Sequence, residues 1–381
     1  MRVLFTVPPA LSHFFPMVPL AWALRAAGHE VLVASSSSAV VAATGAGLPA
    51  VEVSPDVDFD AVFGVGKGTA VERAAEHRRR GEALARNGGA TTEPIFKRFA
   101  HVTGLMVDGV WRVAEMFQPD LVVYGRLQGA GLLVARKLGI PALEHGVGFV
   151  REGDLAQRYL PHLAELFDRY GVPLELPRML TLHIAPPSLM VGDGEAWYAR
   201  FVPYSGGGVL PDWVTRPRPR PRVVVTLGTV LPKVVGVGGI EKVLKAAADV
   251  DADFIALGAG LEALGDLPPN VRTADWLPLT GLLACSDAII HHGGAGSTLT
   301  AIDAAVPQLA LPYGTDEFVN AGVLTRHGFG LASDIDGVNA ELLRQLITDG
   351  ELRARARWAR GEMITRPTPA ELVGALTALI D

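Results

Sequence analysis

The stretch from Ala288 to Leu299 places an apolar segment, a glycine-rich turn and the start of a helix in direct succession. Ala288–Ile290 has the composition of a buried strand end, and Leu299–Ala305 has the spacing of a helix with one apolar face. The glycines between them let the backbone turn sharply and approach a ligand closely. A strand that runs through such a turn into a helix predicts a parallel α/β sheet with a binding site at the carboxyl end of the strand.

The same turn carries groups that can bind an anion. Ser297 and Thr298 place hydroxyl and amide donors at a helix N-terminus, where unpaired N–H groups and the helix dipole favour negative charge. The predicted phosphate-binding residues of the turn are His292, Gly293, Gly294, Gly296, Ser297 and Thr298. The alternative from this stretch alone is a structural glycine-rich connection with histidines in the core.

Length and composition narrow the class of protein. The 381 residues are enough for about two domains, and 49% hydrophobic with 19% charged residues indicates a folded chain. A net charge of −6 argues against binding nucleic acid through a basic surface. Cys285 is the only cysteine, which excludes an intramolecular disulfide and a cysteine metal cluster and agrees with a reducing cytosol.

The apolar run that follows Arg2 is similar to a secretory signal, but Pro8, Pro9, Ser12 and His13 interrupt it. The rest of the sequence has no uninterrupted apolar stretch of about 18 residues, the length that a membrane-spanning helix needs. We therefore expect a cytoplasmic protein without stable membrane insertion.

Short apolar strands alternate with helices twice along the chain, which predicts two Rossmann-like, doubly wound parallel sheets that face each other across a cleft. We predict an N-terminal domain over 1–208 and a C-terminal domain over 223–362, joined by a proline- and arginine-rich extended linker over 209–222. A last helix within 363–381 is expected to pack back on the N-terminal domain. The span Asp56–Phe117 breaks the alternation and predicts an insertion that builds a specificity pocket.

Further motifs surround the glycine-rich turn in a fixed order. They are Trp276-Leu-Pro278 before it, Val306–Pro312 after it, and, near the N-terminus, Ser12–Pro16 with Leu20–Val31. In this combination the chain resembles the nucleotide-sugar glycosyltransferases of GT-B fold, and most of all the actinomycete enzymes that glycosylate polyketides and other natural products. The resemblance covers both ends of the chain and the linker and is weakest over Val51–Arg112. It implies an inverting hexosyltransferase that moves a deoxysugar from a dTDP-linked donor to a hydrophobic aglycone in antibiotic biosynthesis.

The resemblance implies that the C-terminal domain binds the nucleotide-sugar donor. Trp276 would stack on the nucleobase, and Leu277 would offer backbone hydrogen bonds to the edge of the base; the alternative for Trp276 is a place in the core. Thr229 would add a hydroxyl to the donors that hold the diphosphate. Asp316 and Glu317 would bind sugar hydroxyls. Glu317 stands where glucose-using relatives commonly have glutamine, which favours a deoxysugar and leaves an amino sugar open.

His13 is the candidate catalytic base. It follows the first strand, where a neutral imidazole could accept the proton of an attacking acceptor hydroxyl; the alternative is a structural or solvated histidine. Relatives often carry an aspartate that orients this histidine, at the position where this chain has Gly125. His13 then acts alone or uses Glu144 or Asp108, or the attack is assisted otherwise, as on an activated aromatic carbon. Transfer to oxygen, nitrogen or carbon therefore stays open.

The acceptor pocket is expected in the N-terminal domain, where apolar and aromatic side chains could hold a flat aglycone. The candidates are Phe14, Phe59, Phe63, Phe96, Met106, His145 and Phe149, about half of which we expect to touch ligand and the others to belong to the core.

The acidic patterns Asp56–Asp58 and Asp249–Asp253 could suggest a metal site, but acidic residues in such turns usually cap or solvate. We expect no metal and no cofactor beyond the nucleotide-sugar co-substrate. Two other functions stay open: a degenerate homologue that acts as a partner or activator protein, favoured by Gly125, and a nucleotide-sugar epimerase of the same fold. A homodimer is among the assemblies that the sequence allows.

Overall fold

The N-terminal part of the chain folds around one parallel sheet. The computed structural model describes residues 1–64, 69–229, 236, 238–314 and 316–380; residues 65–68, inside the predicted insertion, and Asp381, the end of the predicted last segment, lie outside this description. The strands are β1 (Arg2–Thr6), β2 (Glu30–Ser35), β3 (Ala50–Glu52), β4 (Leu121–Gly125), β5 (Ala142–His145), β6 (Met179–His183) and β7 (Trp197–Tyr198). Their order in the sheet is β3-β2-β1-β4-β5-β6-β7, that of a doubly wound fold.

Helices cover both faces of this sheet, which is why its central strands read as continuous apolar runs such as Val3-Leu-Phe5. They are α1 (Leu11–Phe14), α2 (Val18–Ala26), α3 (Ser38–Gly45), α4 (Phe59–Val62), α5 (Ala70–Arg86), α6 (Glu93–Phe117), α7 (Gly129–Leu138), α8 (Leu155–Tyr159) and α9 (Ala164–Arg169). Two of them, α5 and α6, form most of the predicted insertion. A capping box of Thr69 and Glu72 begins α5, and the buried residues of α6 recur with helical spacing against the sheet.

The C-terminal part repeats the architecture with a second parallel sheet. Its strands are β8 (Arg222–Thr226), β9 (Asp253–Leu257), β10 (Val271–Ala274), β11 (Ala288–His291), β12 (Gln308–Ala310) and β13 (Gly330–Ala332), in the order β10-β9-β8-β11-β12-β13. After α10 (Asp212–Thr215) between the sheets, its helices are α11 (Gly238–Ala247), α12 (Leu279–Leu283), α13 (Ala295–Asp303), α14 (Glu317–His327), α15 (Ala340–Thr348), α16 (Gly350–Ile364) and α17 (Pro369–Thr377). The predicted pair of doubly wound parallel sheets is confirmed.

The segment between the two sheets differs from the extended linker that the sequence predicts. Residues Asp212–Thr215 form the short helix α10, and Val214 is buried. The arginines that follow are held by the C-terminal domain: Arg218 forms an ion pair with Asp287, and Arg220 pairs with Asp253 at 2.5 Å. The alternating prolines set the backbone, but these ion pairs fix the segment against the second sheet.

The last helix, α17, lies on the N-terminal domain. Its apolar side chains, among them Leu372 and Leu376, share one core cluster with Leu20 and Leu24 of α2. The backbone N–H of Arg200 donates to the carbonyl of Pro367 at 2.7 Å, which ties the approach to α17 to the end of the first sheet. In the part of the chain that the structure describes, no helix combines the length and the hydropathy needed to span a bilayer.

Candidate active site

His13 lies beyond the carboxyl end of β1, in the short helix α1, with its side chain partly buried. Its ring meets the ring of Phe99 on α6 edge-on, with 6.4 Å between the centroids. Its buried Nδ1 has no hydrogen-bond partner among the described residues. Burial lowers the pKa of His13, and the negative charge of Asp316 on the C-terminal domain opposes that shift. The imidazole is therefore neutral at pH 7, with a lone pair that can accept a proton.

Position 125, where relatives often have the orienting aspartate, is closely packed by neighbouring side chains. A Cβ atom added to Gly125 would lie 3.0 Å from Cδ of Pro8 and 3.4 Å from Cε of Met17. These neighbours fill the space between the end of β4 and the loop that leads to His13. A side chain at 125 would need these neighbours to shift by a few tenths of an ångström, so the glycine suits the packing of this chain as well as departing from the family pattern.

The two acids that could have replaced the orienting aspartate are engaged elsewhere. Asp108 is exposed and accepts a hydrogen bond from Arg169 at 2.8 Å. Glu144 is buried, accepts from the hydroxyl of Tyr124 at 3.3 Å, and has its pKa raised by that burial. The carboxylate that raises the pKa of His13 is that of Asp316, for which the family resemblance implies a contact with the sugar.

The glycine-rich turn is held by a buried histidine that the sequence left without a role. His291, the last residue of β11, lies within hydrogen-bond distance of Gln308 through Nε2 (3.0 Å) and accepts from the backbone N–H of Gly293 through Nδ1 (3.0 Å). Burial lowers the pKa of His291 to about 3, so the ring stays neutral and can accept that bond. Gly293 itself has φ +89°, which a side chain would strain.

His292 is enclosed by the backbone of two glycines. A Cβ atom on Gly228 would lie 2.5 Å from its ring, and one on Gly294 would lie 2.3 Å from Nε2. Its buried Nδ1 makes no hydrogen bond to any residue that the structure describes. Burial lowers the pKa of His292 to about 4, although Asp316 acts in the opposite direction. The side chain therefore offers a neutral ring at the turn and not a cation.

The helix α13 begins earlier than the sequence suggests, at Ala295 with Gly294 as its N-cap. Its first-turn amides, which include those of Gly296 and Ser297, have no partner within the helix, as in any helix N-terminus. Thr298 departs from the predicted role. It is buried, and both its hydroxyl and its N–H donate to the carbonyl of Gly294 at 3.0 Å. Thr298 therefore completes the first helical turn, and the N–H groups that are free to bind an anion belong to the residues before it.

The predicted nucleobase residues differ in exposure. The side chain of Trp276 is 47% exposed, and its ring lies against Gly206, where an added Cβ atom would be 3.3 Å away. Leu277 is buried in the core beneath it. Thr229 follows β8, is partly buried, and adjoins Gly228, which contacts His292. An exposed aromatic face supported by backbone is suited to stacking, so the core alternative for Trp276 does not apply.

Asp316 and Glu317, the predicted sugar residues, point to different partners. Oδ2 of Asp316 accepts from Asn320 at 3.1 Å and lies 3.7 Å from where a Cβ atom on Gly148 of the N-terminal domain would be. The buried carboxylate of Glu317 accepts from the backbone N–H groups of Tyr313 (2.7 Å) and Gly314 (2.8 Å). Burial raises the pKa of Glu317 to about 8. Glu317 thus supports its own loop, which departs from the predicted sugar contact.

Most of the predicted acceptor residues belong to the core. Those that are buried are Phe14, Phe59, Phe96, Met106, His145 and Phe149, whereas Phe63 is partly exposed. Phe96 stacks on Tyr159 with 5.8 Å between the ring centroids. His145 faces the side of the sheet that α17 covers, beside Leu372, and burial lowers its pKa to about 4. Short apolar runs after strands cannot show whether an aromatic ring lines a pocket or fills the layer beneath it.

Besides His291, three side chains near the site were not among the predicted ones. Phe99 contacts His13 and lies one helical turn after Phe96, so the spacing along α6 could have indicated it. Arg126 follows Gly125; burial lowers its pKa, and the negative charges of Glu144 and Asp316 oppose that shift. His77 on α5 lies against the loop before α14, and nothing in the local sequence signals this long-range contact.

The acidic patterns serve as caps and ion pairs. Asp58 caps α4 by accepting from the N–H of Ala61 at 3.0 Å, and Asp253 pairs with Arg220. Within the described ranges, no group of three or more His, Cys, Asp or Glu side chains could hold a metal ion.

Comparison with known proteins identifies the family. The family model described as the N-terminal domain of erythromycin biosynthesis protein CIII-like proteins matches residues 22–228, and that of the C-terminal domain matches 241–379. The chain belongs to this EryCIII-like family. The EryCIII-like chain is 38% identical to the elloramycin glycosyltransferase ElmGT of Streptomyces olivaceus, over 99% of this chain and 97% of the relative.

Solved structures agree with this family. The glycosyltransferase SnogD of Streptomyces nogalater superposes with a TM-score of 0.84 at 37% identity, covering 100% of this chain and 99% of SnogD. The glycosyltransferase VinC, solved in complex with dTDP, gives 0.79 at 30% identity, with the same coverage of both chains. The EryCIII-like chain is therefore a glycosyltransferase of GT-B fold in the antibiotic-biosynthesis group, and the predicted fold, family and enzyme class are confirmed.

Proposed function

We propose that this glycosyltransferase transfers a deoxysugar from a dTDP donor to a hydrophobic natural product such as an aromatic polyketide, with inversion and without a metal ion. The observation that carries the proposal is a pair of histidines, His13 and His292, each with a buried Nδ1 that has no hydrogen-bond partner among the described residues. Burial lowers the pKa of both rings, and Asp316 opposes that shift at both. His13 belongs to the N-terminal domain and His292 to the C-terminal domain. The solved complex of VinC with dTDP supports dTDP as the nucleotide of the donor. The likeness to the elloramycin glycosyltransferase ElmGT supports a natural product as the acceptor.

The proposed reaction is an in-line displacement at the anomeric carbon. The imidazole of His13 takes the proton of an acceptor hydroxyl as its oxygen bonds to the anomeric carbon. The bond from that carbon to the diphosphate oxygen breaks on the opposite face, so the anomeric configuration inverts and dTDP leaves with the electron pair. The first-turn amides of α13, the helix dipole and the neutral ring of His292 would stabilise the charge on the leaving diphosphate.

Calorimetric titration with dTDP and with UDP, in EDTA, tests the donor site. We expect tight binding without a metal ion, because backbone amides and a neutral ring would hold the diphosphate. We expect dTDP to be preferred over UDP, as the solved complex of VinC with dTDP suggests. A requirement for magnesium would overturn the metal-independent proposal. NMR coupling at the anomeric carbon of the product, compared with the donor, tests inversion.

Replacing His292 with alanine is expected to weaken dTDP binding about tenfold, the effect of losing one hydrogen bond to a charged group. Because the pKa of His292 is about 4, the ring is neutral on both sides of pH 7, and this loss should be the same at pH 6 and pH 8. His101→Ala, which changes an exposed histidine on α6, is the matched control. Unaltered dTDP affinity in the His292 variant would contradict the proposed donor site.

The second candidate is a partner or activator protein without turnover, favoured by the glycine at position 125. Such a protein would show no product with any acceptor, yet would raise the turnover of another glycosyltransferase when the two are mixed. An epimerase would instead convert a dTDP-sugar with no acceptor present.

A further inference from the structure

Helix α5 belongs to the N-terminal domain in sequence but packs against the loop that precedes α14 in the C-terminal domain. A Cβ atom on Gly81 would lie 2.5 Å from Cα of Gly314 and 2.8 Å from the ring of Phe318. The first of these neighbours is backbone, so it cannot give way by rotating a side chain. Gly81 is also buried, although the three residues before it, 78–80, are exposed. The two backbones are therefore in direct contact across the domains.

His77, one helical turn before Gly81, extends this contact on the same face of α5. A Cβ atom on Gly314 would lie 2.2 Å from Cδ2 of His77, so the imidazole covers that glycine. Burial lowers the pKa of His77, and Asp316 acts in the opposite direction. A positive charge on His77 in turn lowers the pKa of His292. The ring thus shares the electrostatic surroundings of the donor site.

The opposite face of α5 is occupied by its own ion pairs. Arg78 pairs with Glu82 at 3.1 Å, and Arg79 pairs with Glu76 at 2.7 Å. These exposed pairs satisfy the charges of the helix locally and contribute little to docking. Contact with the second domain therefore depends on the face that carries His77 and Gly81.

We propose that His77 and Gly81 are positioning residues that let the N-terminal domain set the recognition of the donor sugar. They hold Gly314 in place, and Gly314 donates its backbone N–H to Glu317, next to Asp316. The orientation of Asp316 toward the sugar thereby depends on α5. This inference rests on the proposed function, since it takes Asp316 as a sugar-binding residue, and it extends the site to a helix outside the nucleotide-binding domain.

Gly81→Ala tests the packing in the full-length protein without any ligand. Both Gly81 and Gly361 lie inside helices, but an alanine at 361 meets no atom within 4 Å. Both substitutions favour helix formation equally, so only the contact with Gly314 distinguishes them. Hydrogen exchange of peptides that contain Gly314 and Glu317 should be faster in Gly81→Ala and unchanged in Gly361→Ala. Equal exchange in the two variants would overturn the proposal.

The ratio of the dissociation constants for dTDP-glucose and for dTDP tests the link to the sugar. In Gly81→Ala and His77→Ala this ratio is expected to change about fivefold, because the sugar contacts are displaced. In Gly81→Ala, which changes no charge, dTDP affinity itself stays constant. Gly361→Ala and His101→Ala are the controls, with an unchanged ratio. An unchanged ratio in the two test variants would overturn the role in sugar recognition. Failure of the wild-type protein to bind dTDP would instead refute the proposed function. The exchange experiment needs no ligand and would still test the packing of α5 against Gly314.

Discussion

His13→Ala is expected to lower turnover about 100-fold or more, the contribution of a positioned general base, while dTDP affinity stays nearly constant. His13 is placed by the N-terminal domain, whereas the proposed donor contacts come from the C-terminal domain, so the two effects should separate. Single-turnover kinetics with a saturating dTDP-sugar, together with calorimetry of dTDP binding, measure them. His101→Ala serves as the control for loss of an imidazole.

The pH profile provides an independent test of the same role. Because burial lowers the pKa of His13, its basic form persists below the ordinary value of 6.5. The ratio kcat/KM should rise with pH through a pKa below 6.5 and then stay level across neutrality, and this acid limb should disappear in His13→Ala. Unchanged turnover in the variant would remove His13 from the mechanism and favour the activator function.

The architecture could be predicted because its signals are local. Apolar runs of strand length alternate with segments of helical spacing. The glycines Gly293 and Gly294 predict a tight turn between β11 and the helix that follows. The ends of elements were harder to place. Helix α13 begins at Ala295, because a glycine N-cap and the hydroxyl of Thr298 close its first turn. The sequence cannot show whether the hydroxyl of a threonine beside an anion-binding turn donates to a ligand or to a carbonyl of its own helix.

The missed features depend on contacts between distant parts of the chain. Phe14 and Phe149 follow strands and are apolar, as pocket walls would be, but both fill the core beneath the site. Glu317 stands at a position typical of sugar recognition, yet its carboxylate accepts from two backbone N–H groups. The contact of His77 with Gly314 joins residues more than 200 positions apart, and neither segment carries a pattern that predicts the other. Such pairings are decided by how the two domains close, which no local pattern encodes.

One carboxylate links the catalytic and donor histidines. Asp316 raises the pKa of His13 and of His292, but burial outweighs it at both, so both rings are neutral. Protonating either ring would place a cation beside Asp316 and change the field at the proposed site of the diphosphate. Neutral imidazoles suit both proposed roles, since one must accept a proton and the other must donate a hydrogen bond.

Glu152→Ala is expected to reduce the free energy of unfolding by about 3 kcal/mol, the cost of leaving the largely buried Arg126 without its closest anion. Glu152 follows β5, and its carboxylate forms ion pairs with both Arg126 and Arg158. It also accepts from Thr91, through the N–H at 2.8 Å and the hydroxyl at 2.7 Å. Burial lowers the pKa of Arg126, the charges of Glu144 and Asp316 oppose that shift, and the charge of Arg158 adds to it. Removing Glu152 takes away the anion that lies between the two guanidinium groups.

The matched control is Glu175→Ala, which removes the partner of Arg136 from a pair whose glutamate side chain is 68% exposed. Urea unfolding should place this control within about 1 kcal/mol of the wild type, because water screens an exposed pair. Since Thr91 lies between α5 and α6, the loss of Glu152 should also release the insertion from the carboxyl edge of the first sheet. We therefore expect the KM for the acceptor to rise in Glu152→Ala and not in Glu175→Ala. Equal unfolding midpoints for the two variants would show that the cluster around Glu152 does not hold the insertion in place.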